Sequence, residues 1–104
     1  MKILPEPLAF DWDEGNRNKN FIKHNVSDKE AEEVFKNKPF FAVPDKKHSE
    51  EEKRFQALGK TDKKRLLFMS FTIRNSKVRV ISTRNMNKKE RRQYEEKIKK
   101  ITRI

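Results

Sequence analysis

The sequence predicts an α+β fold in which an antiparallel sheet packs against a pair of helices and a C-terminal helix. Three apolar or alternating segments between residues 54 and 83 are separated by short polar turns, which is typical of an antiparallel meander. The Ser27-Asp28-Lys29-Glu30 pattern is a capping box, which marks the start of a helix. A chain of 104 residues fits one domain over 1–104, with the element order β-α-α-β-β-β-β-α.

The first predicted elements are a short strand and a helix. Leu8-Ala9-Phe10-Asp11-Trp12 favours a strand, and Trp12 is expected to belong to the core. Asp13 and Glu14 then place negative charge in the first turn of a helix that runs to about His24. Asn25 follows at the position of a left-handed C-cap, a conformation that Asn tolerates second only to Gly.

The remaining elements follow from the spacing of the apolar residues. A second helix is predicted over about 28–37, with an apolar stripe of Ala31, Val34 and Phe35. A strand at 40–43 ends at Pro44 and leads into a polar loop. The meander strands and the last helix are predicted at 54–59, 65–73, 78–83 and from Asn87 onward.

The charge is concentrated in the C-terminal half. Of a formal net charge of +11, residues 1–50 contribute −1, from 9 basic and 10 acidic side chains, and residues 51–104 contribute +12, from 18 basic and 6 acidic ones. Such a basic half suits binding to a nucleic acid, an anionic membrane surface or an acidic protein.

Because the chain has no cysteine, disulfide and thiol chemistry are excluded. No signal peptide or transmembrane pattern is present, so a cytoplasmic protein is expected.

Five short segments follow one another along the chain: Phe10-Asp11-Trp12-Asp13-Glu14, Lys23-His24-Asn25-Val26-Ser27, Arg54-Phe55-Gln56-Ala57-Leu58-Gly59, Val80-Ile81-Ser82-Thr83-Arg84 and Glu90-Arg91-Arg92-Gln93-Tyr94-Glu95. In order and spacing, from about residue 8 to residue 96, the chain resembles the BrnT toxin family. Three departures from the family pattern stand out. Asn25 replaces a usual Gly, Thr83 replaces a common Ala, and Met86-Asn87 replaces a usual Ala-Thr, which changes the expected N-cap of the last helix.

The resemblance implies a RelE/ParE-like fold and an endoribonuclease toxin of a type II toxin–antitoxin pair, which inhibits translation and growth. RNA would be the substrate, and cleavage would need neither a metal nor another cofactor. The implied partner is a BrnA-like antitoxin with a ribbon-helix-helix DNA-binding part. Contact with DNA would therefore be indirect, through the antitoxin complex, and no membrane partner is expected.

Metal-free cleavage of RNA needs a base for the 2′-hydroxyl, positive charge at the phosphoryl oxygens and a proton for the leaving group. His24 can exchange protons near neutral pH, although a histidine at a helix end also commonly interacts with the terminal carbonyls alone. Arg54, Arg79 and Arg84 are the other catalytic candidates, because a guanidinium binds phosphate oxygens and can neutralise the extra charge of the transition state, although arginines on strands also shield exposed edges. Alternation places Arg79 and Arg84 on opposite faces unless a bulge intervenes.

A set of basic side chains near helix ends is predicted to contact RNA phosphates, although each also fits a solvated helix face: Lys23, Lys88, Lys89, Arg91 and Arg92. Tyr94 could donate a proton or stack on a base, but its i, i+4 register with Ile98 favours packing. Asp45, His48 and Glu51 form a loose set in a Lys-rich loop, and no metal site is predicted there.

Two functions from different classes fit these residues. The first is the endoribonuclease toxin, and the second is a non-catalytic basic module that binds nucleic acid or the ribosome. The basic residues suit either function, because binding a phosphate and stabilising its transition state use the same groups. A membrane-surface binder is less favoured because the last helix offers only a narrow apolar stripe of Tyr94, Ile98 and Ile101.

Overall fold

A computed structural model describes residues 3–49 and 51–102. Its described strands form one four-stranded sheet in the order β1-β2-β3-β4, with each strand antiparallel to its neighbours. This confirms the α+β class and the meander, with β3 inside the sheet. The elements are α1 (Lys19–His24), α2 (Asp28–Lys36), β1 (Phe41–Pro44), a 3-10 helix (Lys46–His48), β2 (Arg54–Lys60), β3 (Leu66–Arg74), β4 (Lys77–Asn85) and α3 (Lys88–Thr102).

The predicted strand at residues 8–12 is wrong. Within the described chain this segment makes a single parallel bridge, between Phe10 and Val78. The Asp11 amide donates to the Val78 carbonyl over 2.8 Å, and the Val78 amide donates to the Ala9 carbonyl over 2.8 Å. The pairing goes no further because the chain turns away at Asp13. The segment therefore covers part of the edge of β4 without extending the sheet.

The first helix is shorter than predicted, since it begins at Lys19 and not at Asp13. Asp13 takes part in a turn: its carboxylate accepts from the Gly15 amide over 2.7 Å, and its own amide donates to the Asn16 side chain over 2.8 Å. Asn18 then has a left-handed backbone with φ of 59°. Short polar side chains that bond to nearby backbone groups compete with helix formation, which delays α1 by about a turn and a half.

The caps of the helices agree with the sequence patterns. Ser27 Oγ accepts from the Glu30 amide and the Glu30 carboxylate accepts from the Ser27 amide, both over 3.0 Å, so the capping box of α2 is confirmed. Asn25 ends α1 in the predicted left-handed conformation. In α3, the Asn87 side chain accepts from the Glu90 amide over 2.8 Å, and the Glu90 carboxylate accepts from the Asn87 amide over 2.9 Å. The departure at Met86-Asn87 therefore leaves a complete capping box.

The core lies between one face of the sheet, here called the inner face, and the helix α2. Leu67, Met69 and Phe71 of β3 are fully buried on this face, as the period of two predicts. They pack against the predicted apolar stripe of α2, Ala31, Val34 and Phe35, which is buried as well. Each large apolar side chain buried in this way contributes about 1.5–3 kcal/mol.

Tyr94 and Trp12 pack as predicted. Tyr94 is 1% exposed, its hydroxyl donates to the Pro39 carbonyl over 2.7 Å, and its ring lies against Phe41. Trp12 is half-buried against the core, and its indole Nε1 donates to the Glu32 carboxylate over 2.7 Å. Both rings therefore join elements distant in sequence, which fits a packing role.

Candidate nucleic-acid interface

A β-bulge in β4 decides which side chains share a face of the sheet. The partner of Ser70 is Ser82, whereas the partner of the next residue, Phe71, is Val80. Ile81 is therefore left without a partner across the strand pair. Such an insertion reverses the in-and-out alternation beyond it.

The bulge brings Arg79 and Arg84 to the same side of the sheet. Val80 before the bulge and Thr83 after it are both buried on the inner face, although simple alternation would place them on opposite faces. Arg79 and Arg84 are each adjacent to one of these residues and both point away from the core. The sequence predicts a common face for Arg79 and Arg84 only if a bulge lies between them, and β4 contains that bulge.

The side of the sheet turned away from the core is here called the outward face. Three cross-strand rows on this face span β2, β3 and β4. Neighbouring strands lie about 4.8 Å apart, so the Cα atoms of residues two strands apart in a row are about 10 Å apart. The rows consist of Arg54, Thr72 and Arg79; of Gln56, Ser70 and Ser82; and of Leu58, Phe68 and Arg84.

Arg79 is bound by acidic residues from the N-terminal turn. Its Nη1 and Nη2 atoms donate to the two carboxylate oxygens of Asp13 over 2.9 and 3.0 Å, and Asp11 lies 3.6 Å away. The hydrogen bond from Arg79, followed by that from the Gly15 amide, lowers the pKa of Asp13 below its usual range. The side chain of Arg79 is 14% exposed. Its orientation is fixed, and much of its charge is neutralised within the chain.

Arg84 makes a similar pair at the opposite end of β4. Its Nη atoms donate to both carboxylate oxygens of Glu90 over 2.8 and 2.9 Å, and its guanidinium lies 4.4 Å from the centre of the Phe68 ring. Burial alone would raise the pKa of Glu90, but the hydrogen bonds from Arg84 and Asn87 lower it. Glu90 therefore caps α3 and orients Arg84 at the same time.

Arg54 is the unpaired arginine of the outward face. Its guanidinium has no hydrogen-bond or ion-pair partner within residues 3–49 and 51–102, and its Nε atom is buried without an acceptor. The neighbouring cavity is lined by Glu51, Glu52 and Arg74, and Glu52 is bound to Arg74 over 3.0 Å. A buried donor without an acceptor is costly, which makes Arg54 the group best prepared to bind an anion.

Asp45 and His48 form a pair next to Arg54. His48 Nδ1 lies 2.9 Å from the Asp45 carboxylate, and Gln56 Nε2 donates to the same carboxylate oxygen over 3.1 Å. The hydrogen bond with His48 lowers the pKa of Asp45, whereas burial opposes the shift. Sequence reasoning weighed these residues only as metal ligands. The signal it missed is the i, i+3 spacing of an acid and a histidine directly after a strand.

His24 lies elsewhere, at the end of α1. Asn20 of this helix accepts a hydrogen bond from the Thr83 amide over 3.0 Å, which places α1 along the edge of β4. The His24 carbonyl accepts from Arg65 Nη2 over 3.4 Å, and the residue is exposed. Within the described residues, no contact joins its imidazole to Arg54, Arg79 or Arg84. The structure does not bring His24 together with the three arginines.

The predicted phosphate-contacting residues of α3 follow directly after Arg84. Their side chains are exposed on the first two turns of the helix. Lys23 is exposed too, but it lies on α1 beside His24. These exposed basic residues of α3 are Lys88, Lys89, Arg91 and Arg92.

The fold and this surface define a small α+β domain whose sheet presents Arg54, Arg79 and Arg84 on one face and is followed by a basic helix. The family model described as "Ribonuclease toxin, BrnT, of type II toxin-antitoxin system" matches residues 12–90, so the chain belongs to the BrnT family. Among curated proteins, no sequence gives a match. The family implies an RNA substrate and an antitoxin partner. Neither described part of the chain contains a helix with the length and apolar character needed to cross a membrane.

Proposed function

We propose that the protein is an endoribonuclease that cleaves RNA by transphosphorylation without a metal ion and thereby inhibits translation and growth. The observation that carries this proposal is the arrangement of Arg54, Arg79 and Arg84 on one face of the sheet. As the 2′-hydroxyl attacks phosphorus, additional negative charge develops on the phosphoryl oxygens. Guanidinium groups remain charged and match this geometry, so they supply the neutralisation that a metal ion supplies in other nucleases.

The three arginines have different roles in this proposal. Arg54 is unpaired and binds the scissile phosphate directly. Arg79 and Arg84 are oriented by the bidentate pairs with Asp13 and Glu90 and contact the RNA chain on either side. The basic residues of α3 extend the contact along the backbone, with a contribution that decreases as salt increases.

The proposed partner is a BrnA-like antitoxin with a ribbon-helix-helix part, acting in the cytoplasm. We propose that it neutralises the toxin by covering the outward face, and that the complex contacts DNA only through the antitoxin. Expression of this chain alone should stop growth of a bacterial host. Co-expression with the neighbouring open reading frame should restore growth, and the two proteins should purify together. Harmless expression of the folded chain alone would contradict the toxin function.

The activity is tested by incubating purified protein with total RNA in the presence and absence of EDTA. We expect equal cleavage in both conditions. Arg54→Ala should reduce the rate at least tenfold, because its unpaired guanidinium is lost from the phosphate site. Arg17→Ala removes an exposed arginine of the N-terminal turn and serves as the matched control, with a rate close to that of the unaltered protein. Intact RNA, or cleavage that EDTA abolishes, would contradict the proposal.

A second candidate function is a non-catalytic module that binds nucleic acid or the ribosome. It is supported by the carboxylate partners of Arg79 and Arg84, which are also consistent with a purely structural role. Filter binding distinguishes the two functions. Salt-dependent retention of RNA that remains intact after prolonged incubation favours the binding module, whereas shortened RNA favours the nuclease.

A further inference from the structure

The Asp45–His48 pair has the arrangement of a general base oriented by a carboxylate. Asp45 is 9% exposed, whereas the side chain of His48 is 55% exposed. One carboxylate oxygen of Asp45 is shared by His48 Nδ1, at 2.9 Å, and by Gln56 Nε2, at 3.1 Å. The buried carboxylate therefore has fixed partners on two sides, while most of the imidazole is accessible.

This arrangement determines which ring nitrogen of His48 is free. The ionised carboxylate of Asp45 only accepts hydrogen bonds, so His48 Nδ1 must carry the proton of the pair. Nε2 then has the lone pair, and no partner of Nε2 occurs within residues 3–49 and 51–102. A third group that fixes the tautomer of a histidine base is the recurring logic of nucleophile activation.

Backbone contacts place this pair beside Arg54. The Asp45 amide donates to the Arg54 carbonyl over 2.8 Å, and the Arg54 amide donates to Ser49 Oγ over 3.0 Å. Gln56, which binds Asp45, is two residues from Arg54 on the same strand and the same face, about 7 Å away. The pair and Arg54 are therefore direct neighbours, with their backbones joined by hydrogen bonds.

We propose that His48 is the general base of RNA cleavage, that Asp45 positions it, and that Arg54 binds the scissile phosphate. In this step His48 Nε2 takes the proton of the 2′-hydroxyl while the O2′–P bond forms and the P–O5′ bond breaks. The departing O5′ takes a proton from water, and the resulting hydroxide takes the proton from His48. The products are a 2′,3′-cyclic phosphate and a 5′-hydroxyl. This assignment rests on the proposed ribonuclease function.

The chain supplies a matched control, because its two histidines, His24 and His48, are both exposed. We expect His48→Ala to reduce the rate of cleavage at least 100-fold, the usual contribution of a general base. His24→Ala should stay within about twofold of the unaltered protein. RNA binding should change less than twofold in both variants. His48→Gln, which retains a donor toward Asp45, provides a second variant if His48→Ala does not fold.

The outcomes separate this inference from the function on which it rests. If the unaltered protein leaves RNA intact, the proposed function fails and the role of His48 fails with it. If the unaltered protein cleaves RNA and His48→Ala retains more than a tenth of its rate, the ribonuclease function stands and the assignment of His48 is overturned. Equal losses in the two histidine variants would overturn it as well.

The positioning role of Asp45 has a readout independent of activity. Nitrogen-15 chemical shifts distinguish a protonated from an unprotonated ring nitrogen. In the neutral form, His48 should be protonated at Nδ1 in the unaltered protein, and this preference should be lost in Asp45→Asn. Asp45→Asn should also reduce kcat with little change in KM. An unchanged tautomer in Asp45→Asn would contradict the positioning role.

Discussion

At the scale of single residues, Gly59 is required by the close approach of α2 to the sheet. A Cβ atom at this position would lie 2.6 Å from Cγ1 of Val34, a residue that is fully buried and has little room to move. Gly15 differs, because its Cβ would meet the terminal atoms of Arg79 and Asp13 at 2.9 and 3.0 Å. Those atoms are the ends of an ion pair outside the core, which can shift slightly.

We expect Gly59→Ala to lower the free energy of unfolding by about 1–3 kcal/mol, the usual cost of overpacking a core. Gly15→Ala should cost less, because the atoms it displaces belong to the Arg79–Asp13 ion pair outside the core. Urea denaturation of both variants measures the difference. A Gly59→Ala protein as stable as the unaltered chain would show that α2 and β2 are less closely packed than described.

The residues of the candidate site were only partly predictable. Arg54, Arg79 and Arg84 could be chosen by chemistry, since few other side chains bind phosphate so well. That these arginines share one face could not be predicted, because the shared face depends on the bulge at the unpaired Ile81. His48 was missed as a base because its pairing with Asp45 exists only once the loop has folded.

At the scale of elements, α2 and α3 both begin with a capping box whose glutamate also binds an arginine. Glu30 completes the capping box of α2 and binds Arg65 over 3.1 Å, while Glu90 completes that of α3 and binds Arg84 over 2.8 Å. Each glutamate connects the start of a helix to an arginine of the sheet region.

Capping boxes are local, which is why the sequence predicts the one of α2 well. The start of α1 depends on Asn16, whose side chain donates to the distant Val80 carbonyl over 3.2 Å, and it was therefore misplaced.

Substitutions at Glu90 separate its two roles. Glu90→Gln keeps an acceptor for the Asn87 amide and loses the ion pair with Arg84, whereas Glu90→Ala loses both. At neutral pH, Glu90→Ala should therefore be the less stable variant, by about 1 kcal/mol, the usual value of an N-terminal cap. Thermal denaturation followed by circular dichroism makes the comparison. Equal stability of the two variants would contradict the capping role.

The lowered pKa of Glu90 predicts that the stability of the protein depends on pH. The pKa of Glu90 is lowered in the folded protein, so its contribution is complete above the ordinary glutamate pKa of about 4.3 and is lost as the pH falls through the lowered value. Between pH 6 and pH 3, Glu90→Gln should lose less unfolding free energy than the unaltered chain. Urea titrations at both pH values test this, and identical losses would argue against a lowered pKa.

At the scale of the whole molecule, the structure shows which elements carry the excess positive charge. The half with a net charge of +12 forms β2, β3, β4 and α3, which supply the arginines of the outward face and the basic helix. The near-neutral half supplies α2, which covers the inner face, together with the Asp45–His48 pair. The charge distribution alone predicts a polyanionic partner, but it does not predict which face of the sheet binds that partner.

The salt dependence of RNA binding should reveal the contribution of α3. Replacing Lys88, Lys89, Arg91 and Arg92 with serine should make the slope of log K against log salt shallower by roughly 2 to 3, at about 0.7 per lost contact with a single strand. A control variant removes four exposed charges elsewhere: Arg17, Lys29, Lys36 and Lys38. Filter binding over a salt series measures both slopes. Equal slopes would mean that the charge acts through the whole molecule and not through α3.

The most direct test of the central claim, that the outward face cleaves RNA by transphosphorylation, is the chemistry of the product ends. A short RNA of defined sequence is incubated with the purified protein in EDTA, and the fragments are identified by mass spectrometry. We expect fragments ending in a 2′,3′-cyclic phosphate and fragments beginning with a 5′-hydroxyl. Intact RNA, or fragments with 3′-hydroxyl and 5′-phosphate ends, would contradict the claim.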